Sequence, residues 1–435
     1  MSNVPMTRPE EALAIHETRY FHSSTFTELY DGRVLHAANT TFTTSDDGGL
    51  TWSDEFKRTD VNGDPVGGGG TSLVRLSGKG IGLAAMSRTG DGRTGTGVVF
   101  WRSEDGGETW EAPVRLSTPG VATYLYQDAI TRTSSGRIVV PVYVSMGQGT
   151  GPNDEKPPAS GKLVNGHWVS TAGHFFDPHF SSVYVAYSDD DGRTWKRNSD
   201  GELMILLDWN ATYSYVNEPT VTEASPGRLM MMMRTGVGRI FQAWSYDSGD
   251  TWTRPQATSL SSSTAPAQIG TLPNGHLLVV WNQESEEEVK RGFNRTRISS
   301  AVSRNGGSVW EFFQNIESIH ESTRVEPGPI RPLRPSEHHF EPGKPAPERE
   351  VEHIRAVGFH GRWSYPSMLV MKDRVLVAHT YSTYQPHPTK AQLVQSSADG
   401  GINQKLKVLP LNWFYGGKEP ADNPFLPRAH DPASP

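Results

Sequence analysis

An eight-residue motif that recurs six times, β-rich runs around each copy, and a repeat step near 58 residues predict an all-β chain. The expected architecture is a six-bladed β-propeller of four-stranded antiparallel blades. The motif reads serine, any, aspartate, any, glycine, any, threonine, tryptophan. It is intact at Ser45–Trp52, Ser103–Trp110, Ser188–Trp195 and Ser245–Trp252, with weaker copies at Ser303–Trp310 and from Ser397. The steps between successive motif serines are 58, 85, 57, 58 and 94 residues, so three agree and two carry insertions. Blades are expected to start near residues 20, 67, 122, 213, 263 and 362.

Each element of a blade has a local cause. An apolar alternating run precedes the motif (VFWRS, VYVAYS, IFQAWS, ISSAVS) and a short run follows it, which gives two strands and the turn between them. Two more runs stand upstream, joined by turn pairs such as Asp31-Gly32, Ser135-Gly136, Pro226-Gly227 and Asn274-Gly275. Within the motif, Asp and Gly form a tight turn, Ser and Thr bond its backbone, and Trp packs beneath a neighbouring blade. The motif is therefore read as structural. Insertions are expected at 147–180 and 321–362, the second holding seven prolines between Pro327 and Pro347 that bar it from an interior strand. The division read from the sequence is 1–19 as an N-terminal segment, 20–415 as the propeller and 416–435 as a tail.

Composition excludes several classes. The 435 residues include no cysteine, which removes thiolate nucleophiles, disulfides and Cys-ligated metal sites. A formal net charge of −7 speaks against nucleic acid as a partner. No run approaches the length of a membrane span, and no export signal is visible. The expectation is a soluble chain, cytoplasmic by default or secreted with its signal removed.

The repeated SxDxGxTW copies resemble the Asp-boxes, or BNR repeats, of the sialidase (neuraminidase) superfamily, over about residues 20 to 415. The resemblance implies a funnel at the propeller axis with three arginines for a substrate carboxylate, a tyrosine nucleophile paired with a glutamate, and an aspartic acid/base. In NEPTVTEASPGRLMMMMR, Glu218 and Arg234 stand sixteen residues apart, as a strand start and the end of its hairpin partner. Met230–Met233 in that run reads as core filling. In NRTRISSAVS, Arg295 lies eight residues before the box serine, with Arg297 sharing its strand parity as the fallback. In WSYPSMLVMKDRVLVAHTYS, Tyr365 takes the nucleophile position. A neutral phenol can approach an anionic sugar where a carboxylate would be repelled, and Glu218 can take its proton during attack. Arginines offer fork-shaped recognition of a carboxylate.

Two positions depart from the pattern. The first arginine of the triad is replaced by His22, in FHSSTF, and the first-blade loop that carries the aspartic acid is missing between Ala37 and Thr44. Asp128, in YLYQDAIT, is the first candidate for the acid and His22 the second. Asp177 and His179, with His174 in HFFDPHF, could reach over the mouth and contact substrate. Their HxxDxH spacing also admits a metal, but no metal and no cofactor is expected. Asp60 and Asp64 are weaker alternatives for the acid. The function expected is a retaining exo-glycoside hydrolase that removes a terminal acidic sugar, sialic acid or a relative, from glycans. The alternatives are a uronic-acid polysaccharide lyase on the same scaffold and a non-catalytic glycan-binding propeller.

Overall fold

A computed structural model describes residues 11–18, 24–87, 97–118, 123–146, 161–164, 167–170, 180–206, 213–214, 216–290, 295–330, 360–386, 393–396 and 403–418. It shows six four-stranded antiparallel blades arranged as a six-bladed β-propeller. The innermost strands are Ser24–Glu28, Gly69–Arg75, Thr131–Arg132, Asn217–Ser225, Ala267–Thr271 and His360–Val370, one from each blade in order. In the first blade three paired strands are completed by an antiparallel bridge between Phe42 and Phe56. The described helical structure is one short α-helix, Glu286–Lys290, and a 3-10 turn at Leu411–Tyr415.

The ring is closed by its own beginning. Ala14–Thr18 pairs antiparallel with Asn403–Pro410, from Ala14 against Val408 to Thr18 against Gln404, and becomes the outer strand of the sixth blade. The propeller thus draws on residues before 20. Its edge is also held by charge: Lys405 Nζ lies 3.3 Å from Glu17 Oε1 and 3.1 Å from Glu317 Oε1, and the buried Lys407 lies 2.9 Å from Glu317. Lys407 also donates to the Ile316 carbonyl at 2.8 Å, so the last two blades share a buried ion cluster.

The repeated motif is a hydrogen-bonded turn. Asp47 Oδ1 accepts from the Ser45 hydroxyl and the Thr51 amide, both at 2.8 Å, and Oδ2 accepts from the Thr51 hydroxyl at 2.6 Å. The Gly49 amide donates to Ser45 Oγ at 2.8 Å. The same bonds recur at Ser103, Ser188 and Ser245, and the tryptophan indole of Trp110, Trp195 or Trp252 donates to the box glycine carbonyl. In the fifth blade Asn305 replaces the aspartate and still accepts from Ser303 and the Val309 amide. The sixth copy falls mostly outside the described residues. Three of the glycines face the preceding blade closely: a Cβ would meet the Phe100 ring at 2.3 Å at Gly192, with φ +82°, Leu376 at 2.7 Å at Gly49, and Met230 at 3.0 Å at Gly307. The motif is therefore a turn and an inter-blade spacer together.

Away from that ion cluster, apolar side chains fill the core between blades. Met230 to Met233 are all buried, with Met231 and Met233 facing the Val139 and Val183 side and Met230 and Met232 facing Leu277 and Trp281. Unbranched methionines fill both faces of a strand wedged between two sheets. Of the two insertions, the hairpin Gly161–Val164 with His167–Ser170 and residues 321–330 are described.

The turn bonds favour the ionised box aspartate. The Thr51 hydroxyl leads the causes that hold Asp47 down to about 2, and at Asp190 the Thr194 hydroxyl and amide outweigh an opposing desolvation to give about 2. A carboxyl depressed in the folded state stabilises above its unfolded value and loses that contribution as pH falls through the folded one. Asp47→Asn should therefore lower the melting temperature near neutral pH by the equivalent of about 1 kcal/mol, a value discounted for exposure. The gap to the parent should close as pH approaches 2, and thermal unfolding followed across that range checks it.

Candidate functional site

The site grows out of a backbone irregularity at the axis. In the second, fourth and sixth blades the innermost strand carries one extra residue, at its start in the first two and midway in the third: Gly69 pairs Met86 but Ser72 pairs Ala84, Asn217 pairs Arg234 but Thr220 pairs Met232, and Ser364 pairs Thr380 but Ser367 pairs Ala378. A bulge of this kind re-aims a side chain and tolerates a left-handed residue. Gly70 takes it in the second blade at φ +63°, where a Cβ would strike the Leu125 carbonyl at 2.1 Å. Glu218 and Tyr365 take it in the other two, at φ +45° and +55°. Both precede a proline, whose missing N–H leaves no donor unpaired at the bulge. Left-handed glutamate and tyrosine cost about 1–3 kcal/mol each and persist only where surroundings over-determine them.

The two bulges bring their side chains together. Tyr365 Oη donates to Glu218 Oε1 at 3.2 Å, and Arg234 Nη1 donates to Glu218 Oε2 at 2.5 Å. Arg234 is reached because the Asn217–Arg234 pair closes the hairpin, returning the end of the second strand beside the start of the first. Its side chain is 2% exposed and that of Glu218 10%, so this is a buried ion pair.

Arg295, again left-handed at φ +60°, lays its guanidinium 5.2 Å from the Tyr365 ring centroid and donates from Nη2 to the Thr264 carbonyl at 3.1 Å. The fallback Arg297 is elsewhere. It is buried against the short helix, bonded to Glu288 at 2.9 Å and to the Gln283 carbonyl at 3.1 Å. Arg297 shares strand parity with Arg295, and its bond to the Glu288 carboxylate sets it apart.

Tyrosines complete the floor. The Tyr126 ring lies 6.1 Å from Tyr365, and Tyr143 stacks on Tyr124 at 5.3 Å. Burial, with the Glu218 carboxylate adding to it, pushes both the Tyr126 and Tyr143 phenols well above their ordinary range. Both stay neutral. The sequence reading passed over Tyr124, Tyr126 and Tyr143; the YLY triplet before Asp128, polar-tipped aromatics at a strand start, was the available signal.

Asp128 sits at the axis, left-handed at φ +54°, with its carboxylate fully engaged. Oδ1 accepts from the Thr25 hydroxyl at 2.8 Å, and Oδ2 accepts from the Met368 amide at 2.7 Å and from Gln268 at 3.3 Å. Gln268 also donates to the Asp128 carbonyl at 2.6 Å. Burial pushes its carboxyl up to about 7 against these bonds. One side chain of the third blade thus bonds the first, fifth and sixth. Asp60 instead caps its own turn, accepting from the Asn62 and Asp64 amides at 2.8 and 3.1 Å. His22, Asp177 and His179 lie outside the described residues. Among the described residues no group of three or more metal-ligating side chains is assembled, and no helix is long and apolar enough to cross a membrane.

Solved structures share the propeller. A Trypanosoma rangeli sialidase, solved as a covalent intermediate with 2,3-difluorosialic acid, superposes with a TM-score of 0.51 at 14% identity, covering 97% of this chain and 60% of its own. An α-L-arabinofuranosidase from Fusarium graminearum, in complex with an iminosugar inhibitor, gives 0.51 at 14% identity over 93% and 99% of the two chains. A protein of unknown function from Dyadobacter fermentans gives 0.50 at 18% identity over 93% and 100%. At such identities the likeness is one of fold. The model of the BNR repeat-like domain matches residues 86–377, well over half of the sequence, and the chain belongs to that BNR repeat-like family.

Proposed function

We propose that the protein is a retaining exo-glycosidase for a terminal acidic sugar, with Tyr365 as nucleophile and Glu218 as its base. The observation that carries this reading is the Tyr365–Glu218 hydrogen bond at 3.2 Å, formed by two left-handed bulge residues from different blades. Strain kept at two facing positions, and used to bring a phenol onto a carboxylate, fits a chemical purpose better than a packing one.

The steps follow from the contacts. Tyr365 Oη attacks the anomeric carbon while its proton passes to Glu218, and the bond to the leaving oxygen breaks. A water then displaces the tyrosine from the same carbon, so configuration is retained over two inversions. Arg234 holds the Glu218 carboxylate in place, and with Arg295 offers guanidinium donors to a substrate carboxylate. His22 supplies the leaving-group proton, since an ordinary histidine can donate near neutrality.

Aryl glycosides of sialic acid, related nonulosonic acids and uronic acids test the reading. Released phenol with retained configuration, and a loss of about a thousandfold or more in kcat for Tyr365→Phe, are expected. Full turnover by that variant would remove Tyr365 from the reaction. Ultraviolet absorbance from an unsaturated uronate on polymeric substrates would show elimination instead.

The buried pair also makes a prediction about stability. Arg234→Met strands the Glu218 carboxylate without its guanidinium, and urea unfolding should show a loss of about 3–5 kcal/mol. The double variant Arg234→Met with Glu218→Gln should recover most of that loss, because both charges are then gone.

A further inference from the structure

We infer that Tyr126, Gln127 and Asp128 are positioning residues for Tyr365, three consecutive side chains of the third blade that together grip the bulge of the sixth. Tyr126 Oη donates to the Pro366 carbonyl at 2.6 Å, Gln127 Nε2 donates to the Tyr365 carbonyl at 2.7 Å, and Asp128 Oδ2 accepts from the Met368 amide at 2.7 Å. These are main-chain atoms of residues 365 and 366, where the ladder loses register between Ser364 and Ser367, and of Met368, just beyond it and paired with Val377. A bulge leaves such groups without ladder partners, and here another blade supplies them.

The grip is itself anchored. Asp128 is tied to the first blade through Thr25 and to the fifth through Gln268, while Thr25 Oγ1 accepts from the Leu73 amide of the second blade at 2.9 Å. The third blade therefore grips from a fixed support. Tyr365 at φ +55° departs both from the usual range of a tyrosine and from the extended backbone favoured before proline. Three hydrogen bonds from one neighbouring blade supply what that conformation needs. Both Asp128 oxygens accept bonds from fixed donors, which suits holding and leaves the proton donation expected from the sequence to another group.

The inference rests on Tyr365 as the nucleophile for its catalytic meaning, and its structural content can be tested without it. Asp128→Asn puts an amide N–H against the Met368 N–H or withdraws the acceptor from Thr25. A crystal structure of the variant should show Tyr365 out of the left-handed region and its contact with Glu218 broken. On an aryl glycoside, kcat should fall about a hundredfold, the effect of a small misplacement, with KM little changed. The pH profile and the dependence on leaving-group acidity should keep the parent's shape. A loss confined to poor leaving groups would make Asp128 the acid and overturn the inference, as would an unmoved Tyr365 with undiminished kcat. If Asp128→Asn does not fold, Tyr126→Phe deletes one hydroxyl and leaves Pro366 unbonded, and the same readouts should move, with kcat down about tenfold. Should the parent turn over no glycoside, the proposed function fails while the variant structures still decide whether the third blade positions Tyr365.

Discussion

Six innermost strands converge on one axis, and side chains from every blade crowd toward the same narrow space. This protein meets that constraint with bulges and left-handed residues, and it ties the result together through the Asp128 carboxylate. That group receives bonds from the first, fifth and sixth blades while belonging to the third. Taking it out of water is unfavourable, as its raised titration to about 7 records, and the cost is offset by donors that are themselves buried. Of the site residues, Tyr365 stands three positions before Met368, whose amide donates to this carboxylate.

The parts of the molecule set by local chemistry were legible. The Asp-box turn is made within seven residues, so its Ser, Asp, Gly and Thr announce it in the sequence, and the tryptophan follows. Glu218 and Tyr365 were singled out by the resemblance of the stretches around NEPT and SYPS to the family pattern, and the bulges they occupy were not read from the sequence. The partners of Asp128 were not legible, because they lie 103, 140 and 240 residues away in the sequence. Arg297 matched Arg295 in strand parity, and nothing local revealed that Glu288 would claim it. The outer strand Ala14–Thr18 has too mixed a pattern to be read as belonging to the last blade.

A chain of net charge −7 gathers cations where they are needed. Arg234 and Arg295 stand at the axis among neutral tyrosines, and low solvent exposure strengthens each of their interactions relative to surface pairs. The boxes at the rim are acidic turns that hold their own charge through hydrogen bonds. The local charges at the site therefore differ in arrangement from the overall balance, with Arg234 set directly against Glu218.

The strand that closes the ring also sets an order of events in time. Ala14 pairs with Val408, 394 residues later, so nothing synthesised in between can satisfy that edge. At about 5–20 residues per second, some 20–80 seconds separate the two partners as the chain is made. The first five blades can build their inner hairpins as they emerge, while the segment that will seal the circle waits as an unpaired edge. Closure then joins Ala14–Thr18 to Asn403–Pro410 only after the residues between them have been made.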